Sequence, residues 1–337
     1  ESSTHPLARG FLGEKSFLVF GRVFMDKPYL NYNEQIEKLK SKGLTFSDEK
    51  YALTVLKKYG YYSLICGYKD AFKNKTTKNY KDGTKFEEIV QLYEFDAALR
   101  RLFLRYSIIV EKQLKVHLAT AFTENFSESQ CDYLDVNNYD YDTLKNRQDI
   151  NTLIKVITSI IDKGNYHYIE HAKANHNNVP LWVLLNAVTF GQTVKMYQLQ
   201  KQSIKYCISK EYPFLNEGTL ASVLSEVTIC RNSCAHGERL YTFKTREACP
   251  KLMLHEKLSI PLNANGNEYT YGQRDLFSVV ISFKYLLDSS DFKEFKNSLS
   301  KLIKRYQRES KAEIATMILK EMGFPSNWET ITKYRKY

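Results

Sequence analysis

The sequence predicts an all-helical protein, and three observations carry that prediction. Its 337 residues hold 25 tyrosines and 19 phenylalanines against only 7 prolines and 14 glycines, a composition suited to long packed helices. Between Phe86 and Phe122, Leu99, Leu102, Phe103, Tyr106, Ile109, Val110, Leu114, Leu118 and Ala121 recur at three- and four-residue steps, the spacing of one helix face. No alternating run of strand length survives between turn signals.

The elements follow in order. Residues 1–24 contain Phe17-Leu18-Val19-Phe20, too short for a signal-peptide core and without a small-residue cleavage site after it. With Met25-Asp26-Lys27-Pro28 reading as a natural start, 1–24 is an upstream extension or an added segment. Residues 25–84 read as an N-terminal helical subdomain, with two or three short helices between Asn33 and Phe72. Ser47 precedes Asp48 and Glu49, a helix start with acids in its first turn. Gly60-Tyr61-Tyr62 and Gly67-Tyr68-Lys69 break the segment into Tyr-rich units, and the Lys-rich residues 73–85 read as an exposed loop.

Residues 85–337 read as the main helical domain. Beside the first seam of helix 86–122 lies a second, Leu104, Ile108, Glu111, Lys115 and Leu118, so neighbours are expected on both faces. Glu111 then sits among apolar residues, where an unpaired carboxylate is costly, and needs a cation. Residues 123–150, acidic and rich in Asn and Tyr, read as a long inserted loop. Helical periodicity resumes at Leu153–Ile161. Asn178 and Pro180 open a further helix whose run Leu181–Val188 is apolar nearly all round, which makes Asn186 a satisfied core amide. Leu220, Val223, Leu224 and Val227 stripe another helix that Gly237 is placed to end in the left-handed conformation. Leu276–Leu287 is a further apolar helix. In the last one, Phe292, Phe295, Leu299, Leu302, Ile303 and Tyr306 back a face carrying Lys293, Lys296, Lys301, Lys304, Arg305 and Arg308, either solvated or a nucleic-acid track.

The net charge of +11 favours a polyanionic partner, nucleic acid before membrane, although a Lys-rich genome makes basic proteins without functional cause. No apolar run approaches the length of a membrane span. Six scattered cysteines without a CxxC pair read as a reduced, cytoplasmic chain. Cys230 and Cys234 stand one turn apart near His236, but no second ligand pair accompanies them, so no metal and no other cofactor is expected. His117 falls in the buried helix, and His167, His171 and His176 lie in a polar stretch without matching Asp or Cys; these read as structural or exposed.

The most informative stretch is Arg231-Asn232-Ser233-Cys234-Ala235-His236 at the end of the helix striped by Leu220–Val227. An arginine can grip a phosphate through two parallel hydrogen bonds, and a histidine can move a proton near neutral pH. One Arg at this distance from a His is expected by chance about 0.3 times in such a chain, so the pair gains meaning only from context.

That context is a resemblance. Lys27-Pro28-Tyr29-Leu30 with Gln35-Ile36, Gly60-Tyr61-Tyr62 with Gly67-Tyr68, Pro180-Leu181-Trp182 with Phe190-Gly191, Arg231–His236 with Arg239-Leu240-Tyr241, and Gly323-Phe324-Pro325 with Trp328 stand in one order. Together they resemble the Abi-like family, the AbiD/AbiF group of bacterial abortive-infection proteins, from about Met25 to the C-terminus. The resemblance implies a HEPN-like helical bundle with extra C-terminal helices. It also implies a metal-independent ribonuclease centre built from an R-x(4–6)-H motif, onto which Arg231 and His236 map, with Asn232 at the polar position after the arginine. Some relatives are restrained by a small structured antitoxin RNA. With one motif per chain, a complete two-motif centre requires a homodimer.

In that reading the RNA 2′-hydroxyl attacks the adjacent phosphorus, His236 moves a proton, and Arg231 holds the non-bridging oxygens. Positions 231 and 236 lie about 140° apart around a helix, so the long Arg side chain, or a second chain, must close the gap. Glu111 is the expected partner of Arg231, in a purely structural pair or orienting it within a working site. Lys57, Lys58, Tyr61, Tyr62, Arg239, Lys301, Lys304 and Arg305 are the candidate RNA-binding residues, cations for phosphates and rings for unpaired bases. Two rivals stand beside the RNA-cleaving toxin: a non-catalytic RNA-binding protein of the same fold, and a helical scaffold that ignores RNA.

Overall fold

Helices carry the architecture of the computed structural model, which describes residues 29–163 and 165–334; among these there is no strand, only isolated bridges such as Thr45–Lys85. The expectation for residues 1–24 lies outside them. The chain divides into two compact units, Glu1–Ile89 and Val90–Tyr337.

In the first unit, Asn31 opens α1 (Tyr32–Lys40) with a reciprocal capping box to Glu34. Asp48, rather than Ser47, caps α2 (Glu49–Tyr59), accepting from the Lys50 N–H at 2.8 Å. Gly60 stops α2 at φ +76°, after which Tyr62–Cys66 forms a π-turn and Lys69–Phe72 a 3-10 turn. The Lys-rich stretch after it is the expected, mostly exposed loop, although Tyr80 and Thr84 are buried and Lys73 bridges to Tyr80.

α3 (Phe86–Asn125) is the longest helix of the described residues. Its first seam is buried as the spacing predicts, with Leu99, Phe103, Tyr106, Val110, Leu114 and Leu118 inaccessible to solvent. Phe103 meets Phe295 edge-on at 5.2 Å, and Phe283 meets Phe295 at 5.0 Å, which ties α3 to α12 (Leu276–Leu286) and α13 (Ser289–Glu309). The second seam is covered in part: Glu111 and Leu118 are buried and Leu104 and Lys115 half-buried, while Ile108 is exposed.

Residues 123–150 depart from the expected loop. α4 (Gln130–Leu134), a 3-10 turn at Val136–Asn138 and the start of α5 (Leu144–Lys163) occupy them. Two tyrosines explain this. Tyr133 and Tyr139 are buried, and their hydroxyls donate to the carbonyls of Val179 at 2.5 Å and Tyr133 at 2.7 Å. Polar composition concealed a core anchored by satisfied phenols.

α6 (His167–His176) follows, ended by Asn177 in the left-handed conformation at φ +46°. The apolar run after Pro180 gives only one helical turn, α7 (Leu181–Leu184). Trp182 and Asn186 are exposed, and Asn186 is no core amide: its Nδ2 donates to the Trp182 carbonyl at 2.8 Å, absorbing an acceptor where the helix stops. Thr189 restarts the chain with a capping box into α8 (Phe190–Gln198), followed by α9 (Gln202–Ser209). α10 (Glu217–Ala235) packs against α8, α9 and α12. α11 (Met253–Lys257) precedes α12, and α14 (Ala312–Glu321) closes the helical order. Gly323 follows α14 at φ +79°, where a Cβ would lie 2.1 Å from Asp275, the cap of α12; only glycine fits. No helix of the described residues is long and apolar enough to cross a membrane.

Within the core, Glu226 of α10 is buried against Ser278 and Ser282 of α12. The Ser282 hydroxyl donates to the carboxylate at 2.7 Å, whereas the one hydroxyl proton of Ser278 has two acceptors, Glu226 and the Asp275 carbonyl at 2.6 Å. The set is fully satisfied when Glu226 carries its own proton. Burial accordingly pushes its carboxyl up to about 7. The stabilisation from this proton is complete below the ordinary carboxylate range and is lost as pH rises towards 7, on the order of 3 kcal/mol. Glu226→Gln, which mimics the protonated form, is expected to flatten the fall in melting temperature between pH 5 and pH 8; parallel melting curves for the two proteins would refute this.

Candidate functional site

The motif occupies the end of α10. His236 is the helix cap, and Gly237 turns out of the helix at φ +73°. The Gly237 N–H donates to the Cys234 carbonyl at 3.3 Å and the Glu238 N–H to the Ser233 carbonyl at 2.9 Å, a Schellman closure. This turn leaves His236 and Asn232 exposed, one helical turn apart on one face.

Arg231 leaves the helix about 140° round from His236 and reaches Glu111 and Asn232. Its Nε lies 3.8 Å from Oε2 of Glu111, and Nη1 donates to Asn232 Oδ1 at 3.4 Å. Glu111 is held more tightly by Lys115, at 2.8 Å, and Lys115 also donates to the Val188 carbonyl at 2.8 Å. Glu111 therefore finds the cation its burial demands, chiefly Lys115, with Arg231 as a second and longer partner. The Arg231 Nε is buried and makes no hydrogen bond, while the side chain as a whole is 31% exposed, so an anion reaches the guanidinium through its outer nitrogens and not through Nε. Among the described residues no hydrogen bond joins the Arg231 guanidinium to the His236 ring, in keeping with their angular separation.

A clamp behind the motif was missed in the sequence. Asp96 of α3 is fully buried and accepts from the N–H groups of Leu240, at 3.0 Å, and Tyr241, at 2.6 Å, and from Arg100. Arg100 also donates to the Glu238 carbonyl at 3.2 Å. The chain leaving the motif is thereby fastened to α3. The signal was present: an acid and an arginine four residues apart inside an apolar seam pair with each other on one helix face.

Cys230 and Cys234 are buried, burial raises the Cys230 thiol well above its ordinary range, and among the described residues no group of three or more His, Cys, Asp or Glu is placed to hold a metal ion. His117 is half-buried against Tyr212, with burial lowering its pKa, whereas His167, His171 and His176 are exposed on α6.

The candidate RNA-binding residues fare unequally. In the first unit, Lys57, Lys58 and Tyr62 are exposed, but Tyr61 is half-buried and its phenol is raised by burial, which leaves Tyr62 as the open ring of the pair. In the second, Arg239 and Lys301 are exposed, while Lys304 pairs with Glu329 at 3.0 Å and Arg305 with Glu309 at 2.9 Å. These pairs weaken the positive field expected along α13.

The family model described as Abi-like protein matches residues 54–242, which include Glu111, Asp96 and the Arg231–His236 segment but stop before α12 and α13. No curated protein and no solved structure matches the chain.

Proposed function

Because this chain belongs to the Abi-like protein family, we propose that it is an RNA-cleaving enzyme of bacterial abortive infection, a metal-independent endoribonuclease of the HEPN type. One observation carries the reading beyond the family: a partly exposed arginine, steadied by a buried carboxylate, stands five residues before an exposed histidine at a helix end. The 2′-hydroxyl attacks phosphorus as its proton leaves, the 5′-oxygen departs with a proton, and a 2′,3′-cyclic phosphate remains. His236 serves one of the two proton transfers, Arg231 stabilises the charge on the non-bridging oxygens, and Glu111 positions Arg231.

The separation of Arg231 and His236 within one chain favours a homodimer in which two motif helices share a cleft. Ile229 supports this: it is 48% exposed and precedes Asn232 by three residues on the same side of α10. The same separation also supports the rival, a non-catalytic RNA-binding protein. We place the protein in the cytoplasm, with a small structured RNA as its restraint.

The deciding experiment incubates the protein with single-stranded RNA in EDTA. Cleavage is expected to proceed, to leave cyclic phosphate ends, and to fail where the scissile nucleotide is 2′-deoxy. Activity abolished by EDTA and restored by Mg²⁺ would overturn the reading.

A further inference from the structure

A groove between α5 and the start of α8 is lined by Lys155, Val156, Ile160, Lys163, Tyr166 and Gln192 and encloses 510 Å³, within the roughly 300–1,000 Å³ of small-ligand clefts. We propose that this groove binds one unpaired nucleotide of the RNA, with its phosphates on Lys155 and Lys163 and its base against the Tyr166 ring. The proposal rests on the RNA reading above and gives that site a substrate-binding subsite.

Charge is the first argument. No Asp or Glu lines the groove. The nearby cations Lys173 and Lys195 are held by Glu170 at 3.2 Å and Asp149 at 2.7 Å, whereas Lys155 and Lys163 are exposed and in no ion pair of the described residues. Two uncompensated cations at one cleft attract a polyanion.

Shape and chemistry are the second. Val156 and Ile160 are half-buried and supply an apolar floor. Tyr166 is 39% exposed at the rim, and its contact with Tyr168 is a tilted one at 5.5 Å. Gln192 commits its Oε1 to the Thr189 N–H at 3.0 Å, so what it has left to offer is the Nε2 donor, suited to a carbonyl on a base edge. Cations, a ring and an oriented amide are the parts that hold a single-stranded nucleotide; a phosphopeptide would need no ring.

Position is the third. Ala187 and Thr189 form one wall, and the intervening Val188 carbonyl receives Lys115, which pairs with Glu111, which in turn pairs with Arg231. The groove wall and the phosphate-gripping arginine thus belong to one chain of contacts.

Fluorescence anisotropy of the full chain with a 2′-O-methyl RNA 12-mer, which cannot be cleaved, tests the proposal across a salt series. Lys155→Glu with Lys163→Glu is expected to weaken binding tenfold or more and to flatten the salt dependence. Tyr166→Ala is expected to weaken it by about tenfold, and Tyr166→Phe, which keeps the ring, to restore it. Circular dichroism checks that each variant is folded. A lysine effect without a Tyr166 effect would mean phosphate attraction only and would overturn the nucleotide site. Parent-like binding by all variants of a chain that cleaves RNA would overturn the groove alone, and a parent that neither binds nor cleaves RNA would remove both readings.

Discussion

Replacing His236 with alanine is expected to lower RNA cleavage by about 10²–10⁴-fold, the usual contribution of a positioned proton-transfer group. The exposed ring supports no packing, so folding and binding of uncleavable RNA are expected to stay close to the parent's. Arg231→Ala is expected to cost about 10²–10³-fold, as loss of a charge-stabilising donor does, and Arg231→Lys to rescue little, because an ammonium lacks the fork that grips two oxygens. Cleavage assays under single-turnover conditions measure both. A His236→Ala protein that cleaves at the parent rate would end the assignment. Mixing the two inactive proteins adds a test of the assembly: if a dimer shares one cleft, a mixed dimer keeps one Arg and one His and is expected to recover part of the rate.

Asp96→Ala is expected to have the largest effect on stability. The substitution strands the buried Arg100 guanidinium and two backbone N–H groups, a loss of roughly 3–5 kcal/mol for breaking a buried pair from one side. In a unit of this size that corresponds to a melting temperature lower by roughly 10 °C. Because the same carboxylate fastens the chain just beyond His236, cleavage is expected to fall even well below the melting transition. Asp96→Asn, which keeps an acceptor for one N–H, is expected to lose less on both counts. A melting temperature unchanged in Asp96→Ala would show that the clamp contributes nothing.

What the sequence determined by itself was pattern. The three- and four-residue recurrence in α3, the stripe of α10 and the apolar run of α12 are local facts, since a helix face is written in its own spacing. The end of the motif helix at Gly237 was legible for the same reason: a left-handed cap needs only a residue without a Cβ. The need of Glu111 for a cation was also legible, because a carboxylate in an apolar seam is costly wherever its partner comes from.

Partnership between elements was not legible. Lys115 stands one turn from Glu111 on the same helix, but that Arg231 reaches the same carboxylate depends on how α3 and α10 meet. The Asp96 clamp joins residues 144 and 145 positions apart, and no periodicity reports such a pairing. The polar composition of 123–150 hid Tyr133 and Tyr139, whose hydroxyls become acceptable in a core only once carbonyls from elsewhere receive them. The basic face of α13 looked uniform in sequence until Glu329 folded against Lys304; the Arg305–Glu309 pair, four residues apart, is local to the helix. Spacing along one helix fixes which side chains share a face, but the free energy of a charge or a hydrogen bond depends on what the rest of the chain brings to it, and that only the tertiary structure decided.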